Sequence, residues 1–211
     1  LQLVRHMHDR LGVMKKIENM ITEKDIDSAV KILRGGGVVV FPTETAYGLA
    51  ADAKNAEAVE KVRDIKGRDQ EKAFPVIAAD MQMIEEMAGV SGPFAGLAQK
   101  HWPGALTMIL PVIGEGLSPG VVRDGTVAVR ISSHPVSQAL SKGLGSPIVS
   151  TSANRGGAGV CYSIDCVRQQ LSDEPDLYLD GGELIPEPPS TIVTVDDYGY
   201  PEVIRQGSIE I

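Results

Sequence analysis

The sequence predicts an α/β fold built on a sheet of mixed parallel and antiparallel strands. Three observations predict it. The earlier part of the chain alternates amphipathic helical stretches with short apolar strands. The end reads as strands with turn residues between them, which a purely parallel sheet does not explain. The 211 residues, 43% of them hydrophobic, suit one α/β core with at most a small appendage. The division expected is a leader or tail over residues 1–19 and a single domain over 20–211.

The first helix is expected over Glu23–Arg34. Thr22 caps it with Asp25 three residues on, Ile26, Ala29, Val30 and Leu33 share a face, and Gly35-Gly36-Gly37 stops it. Val38–Phe41 reads as a buried strand ended by Pro42. Asn55 caps a helix with Ala58, Val59, Val62 and Ile65 inward, and Gly67 ends it. Phe74–Ala79 reads as a strand, and Asp80 caps a short helix through Met87. A helix over Pro93–Lys100 precedes strands at Ala105–Val112 and Thr126–Ile131. Pro135 starts a helix through Lys142. Ser150–Gly159 reads as a loop, Ser163–Leu171 as a helix, and Leu177–Leu179, Thr191–Val195 and Glu202–Arg205 as short strands.

A formal net charge of −8 excludes a surface built to hold nucleic acid along most of its extent, so an anionic ligand needs a local basic pocket. The longest apolar runs, Gly37–Phe41 and Met108–Ile113, are far too short to span a bilayer. Cys161 and Cys166 match no common zinc spacing and are read as reduced, structural thiols of a cytosolic protein. His6 and His8 can touch a metal or belong to a mobile tail, and the tail is the simpler reading.

Three clusters carry the chemistry. In Gly145–Gly159 a short apolar strand runs into Ser150, Thr151, Ser152 and Asn154, then into a glycine-rich segment. Small hydroxyl side chains and exposed backbone N–H groups at a strand end suit an anion. Lys66, Arg68 and Lys72 put three cations within seven residues of a strand mouth, which suits a triphosphate; Lys66 and Arg68 can also simply answer a helix dipole. Phe41–Leu49 places Thr43, Glu44 and Thr45 directly after a strand. Arg130 emerges from a buried strand and needs a carboxylate or phosphate partner, either a ligand or an internal ion pair. Trp102 reads as a packing anchor and His134 as a structural residue opening a helix. No nucleophile elbow, zinc-protease motif or Walker loop is present, and the hydroxyls of Ser150 and Ser152 have no evident base.

These clusters occur in order with Trp102–Thr107, Val127–Arg130, Ser190–Val193 and Ile204–Gly207. Together they resemble the YrdC/TsaC family of threonylcarbamoyl-AMP synthases over roughly residues 20–211. The family usually has proline where this chain has Asp69 and Ser132. The resemblance implies a twisted open sheet of mixed parallel and antiparallel strands with flanking helices, akin to dihydroxybutanone-phosphate synthase, with a concave, locally positive face. It implies a reaction of L-threonine, bicarbonate or CO2, and ATP carrying Mg2+. The products are threonylcarbamoyl-AMP and pyrophosphate, for threonylcarbamoyladenosine in tRNA. The partners implied are the downstream threonylcarbamoyl-transfer proteins, with tRNA or double-stranded RNA bound directly as a further option, in the cytoplasm. By motif, Lys66 and Arg68 are the catalytic candidates. Lys66, Arg68, Lys72, Thr126, Ser152, Asn154 and Arg205 are expected on ATP, and Thr45, Arg130, Ser150 and Ser190 on threonine. The rival from another class is a non-catalytic RNA-binding or ribosome-maturation factor, which has no need of a small hydroxyl-lined pocket. An enzymatic rival acts on carbamoyl phosphate, within relatives that carry zinc-finger and acylphosphatase parts. The segment Arg155–Gly159 is expected to be mobile without ligand and to close over the site.

Overall fold

A computed structural model describes residues 20–69, 71–171, 174–196 and 198–211; the tail expected over 1–19, with His6 and His8, lies outside them. The first helix, α1 (Glu23–Arg34), has the expected capping box, in which Thr22 and Asp25 satisfy each other's backbone N–H groups. β1 (Val39–Pro42) and β2 (Tyr47–Ala50) follow as a hairpin, then α2 (Ala56–Lys66), capped by Asn55 and closed by Gly67 in the left-handed region at φ 58°. β3 (Val76–Ile77), α3 (Met81–Glu85), α4 (Pro93–His101) and β4 (Leu106–Pro111) come next. After a 3-10 turn at Pro119–Val121 come β5 (Val122–Arg123), β6 (Thr126–Arg130) and α5 (Pro135–Leu144). The rest is β7 (Ile148–Val149), β8 (Thr151–Ser152), α6 (Ile164–Leu171), β9 (Leu177–Tyr178), β10 (Thr191–Val195) and β11 (Pro201–Arg205).

Among the described residues the strands form two sheets. One is four-stranded in the order β8-β2-β1-β9, and the other seven-stranded in the order β11-β10-β4-β6-β3-β7, with β5 beside β6. Both mix directions: β1 runs parallel to β9 and antiparallel to β2, and β4 parallel to β10 and antiparallel to β6. The mixed sheet expected from the sequence is therefore present.

Two apolar cores explain why several strands read as unbroken hydrophobic runs. Val40 packs into the larger core and its neighbours Val39 and Phe41 into the smaller one, between β1 and helices α1 and α5. Val76 and Ile77 divide the same way, as do Val149 and Ile148. A strand buried on both faces has no polar side to show.

Three expectations are corrected, and one strand had not been foreseen. The strand expected over Phe74–Ala79 narrows to β3, because Phe74 N donates to Gly120 O and leaves the ladder. Tyr47–Ala50 is a strand that the turn-like hydroxyl cluster before it concealed. Thr151–Ser152, read as loop, pairs antiparallel with Gly48 and Leu49. Cys161 and Cys166, read as reduced thiols, form a disulfide with Cα atoms 5.5 Å apart. The segment before α6 folds back along the helix and brings the two sulfurs together, and nothing in their spacing announced this.

Candidate functional site

The site lies between the β1–β2 hairpin and β8 of the four-stranded sheet and strands β4, β6, β10 and β11 of the seven-stranded one. A cavity of about 490 Å³ is lined by Thr43, Thr45, Arg68, Thr107, Arg130, Ser150, Ser152, Ser190 and Arg205, with Val160, Tyr162 and Ile204 among its apolar walls. Of the residues expected to bind ligand, Thr45, Arg68, Arg130, Ser150, Ser152, Ser190 and Arg205 are brought together here.

Charge distinguishes this cavity from the acidic molecule around it. Three guanidiniums line it; Glu187 is the acid of its lining, and Glu44 stands beside Arg130 with Oε1 3.1 Å from Nε. The balance is positive. Burial lowers the pKa of Arg68 and of Arg205, and the next cause in each case is another guanidinium, Arg63 for Arg68 and Arg130 for Arg205. Crowded, partly desolvated cations gain from an incoming anion. Arg68 is held by Nη2 to Ala73 O at 3.2 Å and by the face of Phe74, 4.8 Å from the ring centroid. Its Nε is buried without a hydrogen-bond partner among the described residues.

Hydroxyl polarity is set by the surrounding bonds. Ser190 Oγ accepts from Thr107 Oγ1 at 2.9 Å and from Arg205 Nη2 at 3.2 Å. With both lone pairs occupied, its hydrogen is left to donate into the cavity. Thr43 Oγ1 donates to Ala46 O at 2.6 Å, so in its 3.1 Å contact with Thr45 Oγ1 the donor is Thr45. Thr45 thus offers lone pairs where Ser190 offers a hydrogen.

Four expected ligand residues do not line the cavity. Lys66 is buried, and its Nζ donates to Ser152 O in a short bond and to Asn154 O at 2.9 Å. Burial, with Arg68 second, pushes its pKa down to about 8. Lys66 therefore tethers the Ser150–Asn154 segment from behind. Asn154 turns its amide to Arg155 O and Ala158 O, at 2.9 and 2.8 Å. Lys72 is exposed and pairs with Asp69 at 3.2 Å. Thr126 lies at the far end of β6 from Arg130, where its hydroxyl donates to Arg123 O at 2.8 Å.

The glycine-rich segment is tied rather than loose. Gly156 N donates to Lys66 O at 2.8 Å, Arg155 pairs with Glu174 at 2.7 Å, and Gln170 Nε2 donates to Gly159 O at 3.0 Å. The disulfide fastens its downstream end beside Val160 and Tyr162. The expected mobile cover is in this structure a pinned turn, because Asn154 and α6 supply the partners that glycines lack.

Sequence reasoning named Glu44 in the cluster after β1 and Ser132 as a departure from the family, but gave neither a role in the site. Ser132 Oγ donates to Glu44 Oε2 in a short bond, and His134 N donates to Ser132 Oγ at 3.1 Å. A second cavity of about 440 Å³, sharing Thr43 and Glu187 with the first, is lined by Glu44, His101 and His134. His134 caps α5 through Nδ1, which accepts from Val136 N at 3.3 Å; burial, opposed by Glu44, lowers its pKa to about 4. Trp102 precedes a cis proline, and its Nε1 donates to Leu106 O at 2.7 Å, a packing role.

A family model described as "Telomere recombination", the Sua5/YciO/YrdC model, matches residues 31–207. The chain belongs to the Sua5/YciO/YrdC family. Within it, the chain is 38% identical to the threonylcarbamoyl-AMP synthase of Bacillus subtilis, over 89% of this chain and 54% of that protein. It thus spans about half the length of that relative. It is 36% identical to the protein of the same name from Nitrosococcus oceani, over 72% of this chain and 83% of the relative. Among solved structures of the Sua5/YciO/YrdC family, P. abyssi Sua5 complexed with L-threonine superposes with a TM-score of 0.81 at 32% identity, covering 88% of this chain and 55% of that one.

Proposed function

We propose that this chain makes threonylcarbamoyl-AMP from L-threonine, bicarbonate or CO2, and ATP, and releases pyrophosphate. The observation that carries the reading is the cavity that sets three guanidiniums beside hydroxyls of opposed polarity. The threonylcarbamoyl-AMP synthases among its relatives and the threonine complex of P. abyssi Sua5 support it.

The threonine amine and CO2 give a carbamate and a proton. A carbamate oxygen attacks the α-phosphorus of ATP, and pyrophosphate leaves with the electron pair of the broken P–O bond. Such a displacement needs positioning and charge neutralisation more than a protein nucleophile. Arg130 takes the threonine carboxylate with its planar fork, Ser190 donates to the same carboxylate, and Thr45 accepts from the amino acid's polar hydrogens. Arg68 and Arg205 meet the phosphates, Ser150 and Ser152 line the approach, and Mg2+ arrives on the nucleotide. Lys66 serves by holding the Ser150–Asn154 segment. The product passes to threonylcarbamoyl-transfer proteins that modify tRNA, in the cytoplasm.

The test is pyrophosphate release with ATP, bicarbonate and each amino acid, with the product mass measured. Threonine is expected to turn over at least about a hundredfold faster than valine, because a ligand without the hydroxyl leaves buried polar groups unpaired. Equal turnover with valine overturns the pocket assignment. Arg130→Lys keeps the charge but loses the fork. It should raise KM for threonine about tenfold, roughly the value of one lost hydrogen bond, and leave KM for ATP nearly unchanged.

A further inference from the structure

Arg130 and Glu44 make an ion pair of unusual construction. Both side chains are mostly buried, at 7% and 14% exposure, and Nε lies 3.1 Å from Oε1. Yet neither atom makes an aligned hydrogen bond. The pair is held by charge without direction, so its geometry depends on what else holds the carboxylate. Among the described residues, the group that holds the other oxygen, Oε2, is the Ser132 hydroxyl.

Ser132 is itself fixed from several sides. It is fully buried, its hydroxyl accepts from His134 N at 3.1 Å, and its carbonyl accepts from Gln138 Nε2 at 2.7 Å. The accepted bond from His134 leaves the Ser132 hydrogen committed to Glu44. Arg130 Nη1 and Nη2 make no hydrogen bond within the described residues, and Arg130 lines the guanidinium-rich cavity.

We propose that Ser132 is a positioning residue for Arg130, acting through Glu44: it orients the carboxylate, and the carboxylate orients the guanidinium fork toward the amino acid. The proposal rests on the reading that Arg130 binds the threonine carboxylate.

A double-mutant cycle tests it, with KM for threonine and KM for ATP measured separately and rates counted per folded protein. Ser132→Ala should raise KM for threonine about tenfold and move KM for ATP less than twofold. Glu44→Gln keeps an acceptor for the hydroxyl but removes the negative charge that faces Arg130, and should raise KM for threonine at least as far. Added to Glu44→Gln, Ser132→Ala should then cost less than a further twofold. If the two effects multiply, or if Ser132→Ala lowers the melting temperature while KM for threonine stays put, Ser132 is only a packing residue and the proposal fails. Should the alanine variant not fold, Ser132→Cys keeps the volume with a weaker donor, and the same criteria apply. The parent reading fails differently. If Arg130→Lys moves KM for ATP instead, Arg130 serves the nucleotide, and the Ser132–Glu44 coupling is still read in KM for ATP.

Discussion

At the scale of single residues, the chemistry is decided by which side chains are already satisfied. Arg68 and Lys66 sit two apart and read alike in the sequence, yet among the described residues Arg68 keeps an unpartnered Nε while the Lys66 ammonium donates to two backbone carbonyls. Arg68→Ala should therefore lower turnover by about a hundredfold, as for other preorganised charge contacts, with little change in thermal stability; steady-state kinetics beside a melting curve checks this. His134 makes a pH prediction. Its imidazole is 3% exposed and neutral in the fold, with a pKa of about 4 against an ordinary 6.5. Below pH 6.5 the unfolded chain takes up a proton that the folded chain refuses, so stability falls as pH drops from 6.5 towards 4. The full loss is on the order of 3 kcal/mol. His134→Asn retains a side-chain acceptor for the cap and has nothing to titrate. In urea unfolding at a series of pH values, the wild-type advantage over this variant should shrink through that window. A constant difference would count against the burial argument.

At the scale of elements, what could be read ahead was what local chemistry determines. Thr22, Asn55 and Asp80 each accept from the backbone of the helix they precede, and Gly67 closes α2 with a positive φ, because caps and stops are short-range. β8, a strand of two residues, carries no period of its own and pairs with Gly48 and Leu49, distant in the chain. The same distance hid the tether between Lys66 and the Ser150–Asn154 segment, and the pairing of Arg130 with Glu44. Lys66→Met keeps the length of the stem but leaves the carbonyls of Ser152 and Asn154 without their donor. It should cost about 2–4 kcal/mol and speed hydrogen exchange in peptides spanning residues 152–162. Unchanged stability and exchange would return Lys66 to the ligand.

At the scale of the whole molecule, the candidate site is a meeting of distant parts: the β1–β2 hairpin gives Thr45, the end of α2 gives Arg68, β6 gives Arg130, and β10 and β11 give Ser190 and Arg205. The family motifs were legible because each is contiguous; their convergence was legible only through the resemblance. The disulfide belongs to this scale, since it fastens the wall carrying Val160 and Tyr162 to α6. Its closed loop is short, with a sequence separation of 5, and constrains the unfolded chain by about 2 kcal/mol. Reduction, or Cys161→Ser with Cys166→Ser, should lower Tm by about 4–8 °C for a domain of this size. Calorimetry with and without dithiothreitol measures it.

The position of Ser190 and Arg205 in the chain order has a consequence in time. β10 docks beside β4 and β11 beside β10, so the wall that bears these two residues is synthesised after those that bear Thr45, Arg68, Arg130 and Ser150. At about 5–20 residues per second, a chain that already displays Thr45, Arg68, Arg130 and Ser150 waits for several seconds without the hydroxyl and guanidinium that close the ring. If Ser190 and Arg205 hold ligand as proposed, a chain at that stage should bind neither threonine nor ATP. Ribosome-bound chains whose exposed portion stops before β10 should gain no protease protection from threonine and ATP, whereas chains exposed through β11 should. The ring of lining side chains is complete only once β10 and β11 have joined the sheet.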